Sequence, residues 1–142
     1  MIDKYITDVC KILNIKPPIV SYDTSHFQSE TMLAQCNSAG TTIFIRCFKT
    51  FSPDCAFAIA HELRHIWQIR TDYEWFLSDY QTADKIDTET YNNQFAEIDA
   101  NAFAAIIMAN FFSLTPQWNG LSDNVINAIN DRINIIIHEL ND

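Results

Sequence analysis

Three observations predict an α+β fold for this chain. Apolar residues recur at helical spacing in four stretches, and a central stretch alternates in polarity on either side of a glycine turn. Gly (2) and Pro (4) are scarce among 142 residues, which favours helices over a loop-rich build. The order that results is a helix, a small antiparallel sheet, then three helices, within one domain spanning residues 1–142.

Each element has its own signal. Ile2, Tyr5, Ile6, Val9, Cys10 and Leu13 repeat at helical spacing, and the run must end before Pro17–Pro18. The segment IVSYD, 19–23, reads as a short strand. TMLAQCN and TTIFIRCF flank SAG and read as a hairpin, with alternation clearest at Ile43, Ile45 and Cys47. A turn at Ala39–Gly40 sets residue 36 opposite 43. Ser52 has the chemistry of an N-cap and Pro53 suits the first helical position, so a helix is expected over about 53–70. The acidic stretch 71–88 reads as a loop or short helix. A third helix is expected over 89–112, before Thr115–Pro116. Val125, Ile126, Ile129, Ile133, Ile136, Ile137 and Leu140 mark a last one after Ser122.

Composition narrows the function. A net charge of −9, with only 9 Lys and Arg, argues against nucleic acid as a partner. Asp3, Lys4, Asp8 and Lys11 interrupt any apolar core of a signal peptide, and no run is expected to approach the length of a membrane span. The four cysteines (Cys10, Cys36, Cys47, Cys55) form no C-x-x-C pair, so reduced thiols in a cytoplasmic protein are expected.

The chemistry concentrates in AIAHELRHIWQ, 58–68, where His61, Glu62 and His65 follow the pattern H-E-x-x-H. Residues i and i+4 of a helix share a face, so the two imidazoles can aim at one ion. Glu62 is turned by about 100° from His61, beside the position a water would take. Zinc brings the pKa of such a water to about 7, and a neighbouring carboxylate can then accept its proton. The surrounding residues are apolar (Phe57, Ile59, Leu63, Ile66, Trp67), and imidazoles buried among them without a partner would be costly.

Two histidines leave a catalytic zinc short of a ligand. The continuation H-x-x-G-x-x-H fails, because Gln68 and Thr71 stand at the Gly and His positions. The third ligand is therefore sought in EIDANAFAAI, 97–106. Glu97 and Asn101 are an i, i+4 pair there, Asp99 competes with Glu97 as ligand, and the alanines at 96, 100, 104 and 105 keep the helix surface small.

HELRH followed by EIDANAFA resembles the ImmA/IrrE-like metallopeptidases, which pair an H-E-x-x-H helix with a helix of the type E-x-x-A-N-x-F-A. The segment TTIFIRCFKTFSPDCAFAIA is also similar to that family's edge strand and active-site helix. The resemblance covers most of the chain, and least the stretch 71–88 and the last helix. It implies a minimal gluzincin-type, zincin-like domain with zinc on His61, His65 and Glu97 and with Glu62 as general base. It further implies that Asn101 steadies a ligand from behind. Arg64 departs from the family, which usually carries a small residue there; its cation needs a partner such as Asp99 or an acid from 72–89.

Other residues are discounted. His138, in HELND, reads as a helix-terminal imidazole, and His26 as structural or exposed. Tyr73, Tyr80 and Tyr91 are all candidates for stabilising an oxyanion. The expectation is a zinc-dependent endopeptidase acting on a protein or peptide, with Zn2+ as its cofactor and with substrate extended along a hairpin edge at Thr41–Arg46. Two alternatives stand beside it: a catalytically idle zincin acting as a binding or regulatory module, and a zinc hydrolase of a non-peptide amide.

Overall fold

In a computed structural model, residues 1–25, 27–46 and 50–141 are described. The expectations placed on His26 and Cys47 lie outside them. The chain is α+β, and Met1–Thr71 and Asp72–Asp142 form two compact units.

The first unit runs α1 (Ile2–Leu13), β1 (Ile19–Ser21), β2 (Ala34–Cys36), β3 (Thr42–Ile45) and α2 (Pro53–Thr71). Helix α1 buries the stripe read from the sequence, and it ends at Asn14 in the left-handed conformation (φ 56°), one that asparagine tolerates. Its Tyr5 hydroxyl donates to the Ala56 carbonyl at 2.7 Å, joining α1 to α2. Burial pushes the Tyr5 phenol well above its ordinary pKa, so it stays a neutral donor. Helix α2 is capped as expected, with the Ser52 hydroxyl accepting from the Cys55 N–H at 3.2 Å. Its apolar face, Ile59, Leu63 and Ile66, is fully buried, as are Val9 of α1 and Ile43 and Ile45 of β3.

The hairpin has the expected register, with Cys36 opposite Ile43. Two expectations about the sheet fail. It is mixed rather than antiparallel, in the order β1-β3-β2, because β1 pairs with β3 in parallel. The long 22–33 connection lets the chain cross the sheet before the hairpin begins. Strand β3, and with it most of Thr41–Arg46, is therefore the central strand and offers no open edge. The edge beside it is β2. Leu33 and Asn37 bond across to Arg46 and Thr42, so Ala34 and Cys36 sit at the alternate positions, with N–H and C=O directed away from β3.

Cys10 and Cys36 are outside any disulfide, and burial pushes the Cys10 pKa up to about 11. Cys55 is disulfide-bonded, against the expectation of reduced thiols throughout. That expectation weighed only C-x-x-C pairs and the hairpin, whereas Cys55 lies beyond the hairpin in the first turn of α2.

The second unit holds α3 (Tyr73–Asp79), α4 (Thr88–Asn92), α5 (Phe95–Phe112) and α6 (Asp123–Asn141). The helix expected over 89–112 is broken at Asn93–Gln94. Gln94 is extended (ψ 142°), and its side chain bonds to both the N–H and the carbonyl of Gln81. Those tertiary bonds outweigh helical continuity. Helix α6 starts where Ser122 caps it, accepting from Val125 N–H at 3.3 Å. Helices α5 and α6 pack together, and Phe103 and Ile107 of α5 and Val125, Ile129 and Ile136 of α6 are buried. Helix α5 is apolar around most of its circumference. By length and composition it could cross a membrane, contrary to the expectation that no run approaches that length, yet most of it is buried inside the protein.

Gly40 closes the hairpin at φ +68°, where an added Cβ would meet Ile69 Cγ2 at 2.9 Å. The turn is also held by Arg70, whose Nε donates to the Gly40 carbonyl at 2.9 Å. Gly40→Ala should cost roughly 2 kcal/mol in urea unfolding, from left-handed backbone strain plus that contact. An unchanged midpoint would contradict this account of the turn.

Candidate metal site

Helix α2 has a second buried face besides its apolar one. His61, His65 and Gln68 recur at i, i+4 and i+7, so they stack along one side of the helix. The Nε2 atoms of His61 and His65 are 3.1 Å apart, and the rings meet edge to face at 80°. Two nitrogens bound to one tetrahedral zinc at ~2.0–2.1 Å would stand about 3.4 Å apart. The imidazole pair thus already has close to the spacing such an ion requires.

Glu62 stands beside this pair. Its Oε2 is 3.8 Å from His61 Nε2, and its Oε1 accepts the Cys36 N–H at 3.0 Å. That N–H is one of those directed away from β3, so the edge strand orients the carboxylate of α2. Sequence reading missed this contact, because a backbone donor leaves no residue signature. It also gave Gln68 no role, although the i, i+3 spacing from His65 was there to be read. Gln68 Oε1 lies 2.8 Å from His65 Nδ1.

Glu97 lies in the first turn of α5 and is buried, as is Asp99. His61 and His65 belong to the first unit and Glu97 to the second. Two imidazole nitrogens and a carboxylate oxygen are a donor set that suits zinc.

The remaining candidates fall as follows. Asp99 is engaged by Arg132 of α6, whose Nε donates to Oδ1 at 2.8 Å. The same guanidinium lies over the Phe95 ring at 4.9 Å, so α6 grips the first turn of α5 from both sides of Glu97 in sequence. Asn101 is half-buried one turn beyond Glu97. Arg64 is buried, with its guanidinium 3.8 Å from the centre of the Trp67 ring, a stacking that accommodates a desolvated cation. Tyr80 and Tyr91 share a hydroxyl–hydroxyl bond of 2.9 Å, and Tyr73 is exposed. His138 is exposed in the last turn of α6.

In comparisons with known proteins, no family model, curated protein or solved structure matches the chain.

The Arg132–Asp99 pair generates a stability prediction. Arg132→Ala should cost roughly 2 kcal/mol in urea unfolding, as expected for a charge-assisted bond to a buried carboxylate, and Arg132→Lys should recover part of it. A loss within error of zero would show that the pair does not hold α5.

Proposed function

We propose that the protein is a zinc-dependent endopeptidase of the ImmA/IrrE-like, zincin-fold type, acting on a protein or peptide substrate. The observation that carries this reading is the pair of imidazole nitrogens 3.1 Å apart on α2 with Glu62 held alongside. A structural polar cluster would need no carboxylate next to the two imidazoles, whereas hydrolysis needs a base in that place.

His61, His65 and Glu97 would hold the ion, and Asn101 would steady a ligand. Zinc, when bound, supplies Lewis-acid polarisation and acidifies water toward neutrality. Glu62 then acts as the proton carrier. Its Oε1 is anchored by the Cys36 N–H, which leaves Oε2, on the His61 side, to take the proton from water. The same carboxylic acid returns that proton to the leaving amine. In this reading the substrate is extended and adds a strand to the outer edge of β2, where Ala34 directs its N–H and C=O. Such docking would carry a carbonyl past the base that Cys36 orients. The reading also assigns the protein to the cytoplasm, with no nucleic acid or membrane as partner.

Two experiments test this. Glu62→Gln should retain zinc yet lower cleavage of a peptide library, read by mass spectrometry, by roughly 10²–10⁴-fold. Equal cleavage by both proteins would remove Glu62 from the chemistry, and a wild type loaded with zinc but inert on every peptide would contradict the peptidase reading. Ala34→Pro deletes an outward N–H without touching the ladder to β3, so it should raise KM. An unchanged KM in a folded variant would refute docking at β2.

A further inference from the structure

Gln68 lies three residues beyond His65, one turn along the same face of α2, and only 3% of it is exposed. Its Oε1 is 2.8 Å from Nδ1 of His65. A carboxamide oxygen can only accept, so this bond requires the proton to be on Nδ1. A neutral imidazole protonated at Nδ1 has its lone pair on Nε2. That is the nitrogen that faces Nε2 of His61 at 3.1 Å.

We propose that Gln68 is the positioning residue of His65, holding its ring in the Nδ1–H tautomer with the Nε2 lone pair presented to a metal ion. The proposal rests on the zinc reading above, and adds to it the group that makes one ligand competent before any ion arrives.

The chemistry of the position explains the residue type. The opposite tautomer would place a proton on Nε2, where an ion must bind, and would set the Nδ1 lone pair against the Gln68 oxygen in the orientation the carboxamide has here. Both faults lie at a buried position, where an unmet polar group is costly. A methionine matches glutamine in length but offers no comparable acceptor, and leaves the ring free to flip or change tautomer. A glutamate keeps the acceptor. The assignment also fixes the direction of the bond between the two rings. In this neutral tautomer of His65 its Nε2 can only accept, so His61 is the donor through its own Nε2–H. The metal-free pair is thus asymmetric, with His65 in the Nδ1–H form and His61 carrying a proton on Nε2.

That asymmetry is measurable without metal or activity. Long-range nitrogen–proton correlation spectra of the metal-free wild type should show His65 protonated at Nδ1. Zinc affinity, read by competition with a chromophoric chelator, should fall by roughly 10–100-fold in Gln68→Met, and Gln68→Glu should bind at least as tightly as wild type. A His65 protonated at Nε2 in the wild type would overturn the proposal, as would a folded Gln68→Met that binds zinc like wild type. Should Gln68→Met fail to fold, the wild-type tautomer decides the matter. A wild type that binds no zinc would sink the metal reading alone, because the tautomer is read in the metal-free protein.

Discussion

The spacing of one helical turn is the constraint on which the candidate site depends. Because i and i+4 share a face, His61 and His65 bring their Nε2 atoms to 3.1 Å without help from any other element. Two imidazoles so close must share a proton or share an ion. Everything else around α2 keeps that helix in place or turns these rings. Tyr5 and the apolar face hold α2 to α1 and the sheet, and Arg70 ties its last turn to the hairpin.

Polar groups on α2 and on α5 are held by short bonds of distinct kinds. Glu62 is anchored by a backbone N–H of the edge strand, and His65 by the carboxamide of Gln68. On α5, Asp99 is held by Arg132 from α6. On the proposed reading, each bond removes a rotational freedom that a ligand or base would otherwise have to lose when an ion and a substrate arrive.

Much of this was legible in the sequence where the signal is local. The cap at Ser52, the start of the last helix after Ser122, the α1 stripe and the 36-to-43 register all depend on neighbours a few residues away, and the structure has them. What failed depends on distant partners. A three-residue strand such as β1 carries no mark of its direction, so the parallel pairing with β3 was invisible. The break before α5 comes from Gln94 bonding across to Gln81, which periodicity cannot register. For the site, the H-E-x-x-H spacing singled out His61 and His65, whose Nε2 atoms the structure sets 3.1 Å apart. It did not find Gln68, which was read only as a missing glycine, or the Cys36 N–H, which has no side-chain signature.

Metal content of the purified protein, measured by mass spectrometry for wild type, His65→Ala and Glu97→Ala, tests the central claim most directly. The account predicts about one zinc per wild-type chain, lost in both variants. Wild-type protein that takes up no zinc after reconstitution, or variants that keep it in full, would contradict the account and leave HELRH as a buried polar cluster.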